Sequence, residues 1–184
     1  MNARSATRPG RRVLVAGVGN IFLGDDGFGV ETVRRLAAER LPEGVETADI
    51  GVRGVHLAYQ LLDGYDTVVL VDATERGQEP GTLYLIEPDA PGAVEPRNAQ
   101  LDGHKMSPDA VLALLGTLCA GTGARPPGRT LVLGCEPASV EEGIGLSPSV
   151  AAAVPEAVRM IMGLLRDGEQ KTSASPPEAA KAAQ

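Results

Sequence analysis

The stretch from Val13 to Gly29 constrains this chain more than any other. Val13-Leu14-Val15-Ala16 is a short apolar run closed by Gly17 and Gly19, the pattern of a strand buried in a parallel sheet. Two adjacent carboxylates, Asp25 and Asp26, follow between Gly24 and Gly27, where the chain must turn into a helix. Glycines permit a tight turn and a close approach of backbone to ligand. Ligands of open α/β sheets sit beyond the carboxyl ends of the strands, so this loop is expected to offer Asp25 or Asp26 to the mouth of a cleft. Gly17-Val18-Gly19 does not complete a dinucleotide fingerprint, because the third glycine of that pattern falls on Phe22. Carboxylates beside a pyrophosphate would also repel it, whereas the fingerprint relies on bare amides at a helix N-terminus.

Downstream, strand and helix patterns alternate. Val30 to Leu41 has the period of an amphipathic helix and is stopped by Pro42. Val45 to Ile50 reads as a strand and Gly54 to Leu62 as a helix. Thr67 to Asp72 is the cleanest central strand, closed by a carboxylate, and Thr82 to Ile86 is a shorter one. Glu87 to Met106 is a Pro- and Gly-rich connection without periodicity. Ser107-Pro108-Asp109 is a helix start, with a hydroxyl cap, proline in the first turn and an acid at the positive end of the dipole. Thr130 to Cys135 is the fifth strand. Ser147-Pro148 opens a short helix that Pro155 is expected to break, with a second running from Pro155 to Leu165. The sum is an α/β fold, a three-layer α/β/α sandwich around a mostly parallel five-stranded sheet. Residues 1–11 are expected to form a disordered arm, 12–166 a single domain and 167–184 a disordered tail.

The 184 residues suffice for one well-buried domain, and with 3% aromatics the core must be built from Val, Leu, Ile and Ala. The net charge of -7 understates the acidity of the body, since residues 1–12 hold four arginines and no acid. Such a body is a poor partner for nucleic acid or an anionic membrane and suits a metal ion or a basic protein segment. No stretch reads as a transmembrane span or a signal peptide, so a cytoplasmic location is expected. Cys119 and Cys135 have neither a disulfide framework nor zinc spacing and read as buried thiols.

Three groups stand where chemistry is possible: Asp26 after the first strand, Asp72 at the end of the third, and His104 ahead of the helix capped by Ser107. Strand-end loops converge on one edge, and two carboxylates with one imidazole make a three-ligand set for a divalent transition metal. The spacing equally allows ordinary roles. Asp25 or Asp26 can cap the following helix, an aspartate at a strand end is often a turn former, and a lone loop histidine is commonly exposed. His56 reads as a surface residue. Ser139, Ser147 and Ser149 lack the setting of an activated serine, and neither a G-x-S-x-G elbow nor an H-E-x-x-H motif is present. Ser147 reads as a helix cap.

Gly17-Val18-Gly19-Asn20 followed by Gly24-Asp25-Asp26-Gly27-Phe28-Gly29 resembles the opening of the nickel–iron hydrogenase maturation endopeptidases, the HybD-like family. The likeness continues through Val69-Leu70-Val71-Asp72-Ala73, Pro80-Gly81-Thr82, His104, Glu136-Pro137 and Gly145-Leu146-Ser147-Pro148. The resemblance implies a hydrolase, a protease that removes the C-terminal extension of the nickel-loaded precursor of the hydrogenase large subunit. It implies that Asp26, Asp72 and His104 are the metal-binding and catalytic positions. Nickel would come from the precursor, with no permanently bound cofactor, and the protein would act as a monomer. Some members of the family carry Glu where this chain has Asp26, one methylene shorter. A non-catalytic, metal-sensing chaperone of the same precursor is the alternative from another class.

Overall fold

The structure, a computed structural model, describes residues 11–88 and 107–173. The chain runs β1 (Val13–Val18), a 3-10 turn (Gly24–Gly27), α1 (Phe28–Leu36), β2 (Val45–Gly51), α2 (Gly54–Gln60), β3 (Thr67–Ala73), β4 (Leu83–Ile86), α3 (Pro108–Thr122), β5 (Arg129–Cys135) and α4 (Pro148–Ser173). The strands form one sheet in the order β2-β1-β3-β5-β4, all parallel except β4, which pairs antiparallel with β5.

Side-chain alternation along the strands divides the apolar residues between two layers. Val13, Val15, Val69, Val71, Leu131 and Leu133 face one side, covered by α1 and α4. Leu14, Ala16, Val68, Leu70 and Val132 face the other, covered by α2 and α3. Filled on both faces, β1 and β3 can only be continuous apolar runs, which is why they stand out in the sequence. Each fully buried Leu or Ile contributes on the order of 1.5–3 kcal/mol relative to exposure.

The glycines of the opening stretch serve helix–sheet contact. A Cβ on Gly17 would lie 2.3 Å from the carbonyl oxygen of Gly29, and one on Gly29 would lie 2.1 Å from that of Val71. The first turn of α1 therefore rests directly on β1 and β3, at a distance only hydrogen side chains permit. Helix α3 begins as expected, with the Ser107 hydroxyl accepting from the Ala110 amide at 3.4 Å and Pro108 in the first turn.

Several expectations are corrected. Helix α1 begins at Phe28 and ends at Leu36, where the Ala38 and Glu39 amides turn back to the carbonyls of Arg35 and Leu36. Pro155 does not break the last helix: α4 is continuous through it. Pro155 lacks the amide that would bond Ala151, but Ala151 is on the exposed side, while Val150, Val154, Ala157, Val158, Ile161 and Leu165 hold the opposite face on the core. That burial outweighs one missing hydrogen bond. Residues 167–173, expected in the tail, are helical, and 174–184 lie outside the described residues. Arg11, expected in the arm, donates to Thr67 Oγ1 at 2.7 Å. Contrary to the reading of no span-like stretch, Pro148–Asp167 of α4 is long and apolar enough to cross a membrane by composition alone, yet its apolar stripe is spent on the sheet.

Candidate functional site

Strand β1 lies between β2 and β3, so the chain leaves it toward one neighbour and returns on the other side. The crevice at such a switch point is where ligands of open α/β sheets bind. Asp26, in the 3-10 turn after β1, and Asp72, near the end of β3, both reach it. They line a cavity of about 210 Å³ with Gly19, Val52, Ser107 and Val140.

Gly19 makes the pairing of the two acids possible. Its φ is 125°, and a Cβ there would fall 1.8 Å from the Asp26 carbonyl oxygen and 3.6 Å from Asp72 Oδ1. Any side chain would wedge the two residues apart. The Asp26 carboxylate accepts from the Asn20 amide at 2.7 Å, which ties the turn back on itself.

Asp72 is only 7% exposed. Burial pushes its carboxyl well above the ordinary range and the nearby Asp26 charge adds to this, with a hydrogen bond from the Ala73 amide opposing both. A cation in the crevice would relieve both the burial penalty on the Asp72 carboxylate and its repulsion by Asp26. Among the described residues no group of three metal-ligating side chains is assembled. His104 lies outside the described residues, while Ser107, three residues further along, lines the crevice.

Neither aspartate caps a helix by its side chain. Asp25, 1% exposed, turns away from the crevice and accepts from the Ala138, Ser139 and Ser147 amides at 2.8, 3.2 and 2.6 Å. It also accepts from the Ser147 hydroxyl at 2.9 Å, an oxygen that lies 3.3 Å from Ser149 Oγ as well. Burial raises the Asp25 carboxyl, but these four bonds outweigh it and the net displacement is downward.

In the sequence Glu136 carries only a family likeness and no role. It is 3% exposed and accepts from the Arg76 and Gly77 amides and, at 2.5 Å, from the Tyr84 hydroxyl. The Tyr84 bond, despite burial, holds its carboxyl below the usual range and, after burial itself, lifts Tyr84 to about 12. It thereby shapes the loop that follows Asp72. The signal was an acid directly after an apolar strand, at the same sheet edge as Asp72. Cys135 is buried, and burial, then Asp25 and Glu136, push its thiol up to about 12, so it is no thiolate nucleophile at neutral pH. Cys119 is likewise a buried free thiol and His56 is exposed on α2.

Fold and crevice together define an open α/β domain that presents paired carboxylates at its switch point. The family of hydrogenase maturation proteases, by its HycI sequence model, matches residues 30–164. The hydrogenase 2 maturation protease of Escherichia coli is 36% identical over 172 residues, covering 91% of this chain and 98% of that one. The hydrogenase expression/formation protein HupD of Rhizobium leguminosarum is 31% identical over 175 residues, covering 94% and 83%. Among solved structures, the hydrogenase maturating endopeptidase HybD from E. coli superposes with a TM-score of 0.70 at 31% identity, over 85% of this chain and 93% of that one. This chain belongs to the hydrogenase maturation protease family and is an endopeptidase by that membership.

Proposed function

We propose that this protein removes the C-terminal extension of the precursor of a nickel–iron hydrogenase large subunit once nickel has been inserted. Asp26, Asp72 and His104 complete the coordination of nickel that the precursor already holds. The observation that carries this reading is the buried Asp72 carboxylate beside Asp26 in the switch-point crevice, a pair whose mutual repulsion an incoming cation relieves. An apo precursor brings no cation and leaves the repulsion in place, so loading is sensed by the chemistry of binding itself. A carboxylate donor set without thiolates holds free nickel weakly, which suits a metal that arrives and leaves with the substrate and requires no resident cofactor. Anchoring the metal positions the nearby peptide bond, and a carboxylate of the site can take the proton of an attacking water. The protein acts in the cytoplasm as a monomer.

Mass spectrometry of nickel-loaded precursor incubated with this protein alone tests the proposal. Loss of a C-terminal peptide is expected, and none from apo precursor. An intact precursor in stable complex would instead make the protein a metal-sensing chaperone. His104→Ala is expected to weaken nickel or cadmium binding far more than magnesium binding, because imidazole is the soft donor of the set. Wild-type affinity should fall as pH drops through about 6.5, where an unperturbed imidazole takes its proton, and the variant should lose that step. Equal affinities and pH profiles by calorimetry would remove His104 from the site.

A further inference from the structure

The loop between β5 and α4 has no regular structure, yet it is pinned along its length. Asp25 holds Ala138 and Ser139 at one end and Ser147 at the other. The Asp25 amide donates to the Ser139 carbonyl at 3.0 Å. In the middle, the Gly24 amide donates to the Gly143 carbonyl and the Gly143 amide to the Phe22 carbonyl, both at 2.9 Å. Its apolar side chains, however, face water: Val140 is 44% and Ile144 85% exposed, beside Phe22 at 62%. A loop fastened this firmly does not need exposed Val and Ile to fold. Val140 also lines the crevice that holds Asp26 and Asp72, so the strap itself reaches the candidate site.

We infer that the strap 138–147 is a wall of the substrate cleft, that Phe22, Val140 and Ile144 receive apolar side chains of the precursor segment entering it, and that Asp25 is the positioning residue setting this wall against Asp26. The inference rests on the proposed function for its occupant, an extended peptide segment of the precursor. Asp25 and Asp26 are consecutive, one carboxylate turned inward to the strap and its neighbour to the crevice. Any shift of the strap is thus transmitted to the spacing between the peptide wall and the metal-facing acids. Alternate faces of one short turn do both jobs.

The test measures Kd for nickel-loaded precursor, together with kcat and KM for its cleavage, in wild type, Val140→Ser, Ile144→Ser, Ser147→Ala, Ser147→Thr and Asp25→Asn. Val140→Ser and Ile144→Ser, altering exposed side chains, should melt like wild type while Kd and KM rise about tenfold. Asp25→Asn puts an amide donor among backbone donors and should raise KM at least as much. Ser147→Ala should lie between, with Ser147→Thr restoring wild-type values because the hydroxyl returns. Wild-type Kd and KM in both Val140→Ser and Ile144→Ser would overturn the wall. A wild-type KM in folded Asp25→Asn and Ser147→Ala would overturn the positioning role. Wild-type protein that binds precursor without cleaving it would sink the proposed function alone, since the Kd series still judges the strap.

Discussion

At the scale of single residues, Asp25 of the 3-10 turn and Asp72 of β3 have opposite relations to stability. Asp72 is ionised at a cost: its folded carboxyl is raised above the unfolded value, so its contribution is most favourable at low pH and is lost as pH rises through that range. Asp72→Asn should therefore raise the melting temperature at pH 7, with the gain shrinking on acidification, while precursor processing is abolished. A variant that cleaves at the wild-type rate, or that melts lower at pH 7, would return Asp72 to the role of turn former. Thr130 gives a second residue-scale expectation. Its hydroxyl is buried in β5 without a hydrogen-bond partner among the described residues, so Thr130→Val should stabilise by about 1 kcal/mol in a urea titration. Asp72 was legible because a carboxylate ending a buried strand has nowhere to go but the sheet edge. Asp25 was not, because its partners lie 113 to 122 positions away and nothing local announces them.

At the scale of elements, α4 shows how tertiary burial overrides a local rule. Proline in a helix interior costs about 3 kcal/mol relative to alanine in isolation, yet the buried stripe from Val150 to Leu165 keeps the helix whole. Pro155→Ala restores an amide donor to Ala151 and should stabilise by about 2 kcal/mol, read by thermal melting. A loss of stability would mean that the ring packs better than the missing bond costs. The strap answers to pH with the other sign from Asp72. With its carboxyl lowered on folding, Asp25 contributes stability that is fully present above its unfolded value near 4 and lost as pH falls through the folded one. Asp25→Asn should cost about 2 kcal/mol at pH 7 and less in acid. Strand positions were legible from apolar runs with period-2 or continuous patterning. The true end of α1 was not, since Ala37 to Arg40 suit a helix or a turn equally and the tight turn decides it.

At the scale of the whole molecule, the strand order was the part that periodicity cannot supply. Alternating elements imply a parallel sheet, but only pairing shows β1 at the switch point, directly beside the strand β3 that carries Asp72. Acid unfolding should be governed by Asp25, Glu46 and Glu136, all lowered on folding: Glu46 by Tyr65 and Arg12, Glu136 by Tyr84 first. Their joint contribution is present above about pH 4 and lost below it. In Asp72→Asn, which removes the opposing contribution of Asp72, urea stability that stays flat from pH 6 to pH 3 would contradict this.

Ser147 stands 122 positions after Asp25 in the chain. During synthesis, β1, the turn and β3 can dock as soon as they emerge, bringing the two acids of the crevice together, while the clasp must wait until nearly the whole domain has left the ribosome. A nascent chain therefore carries the two acids before Ser147 can close the clasp on Asp25.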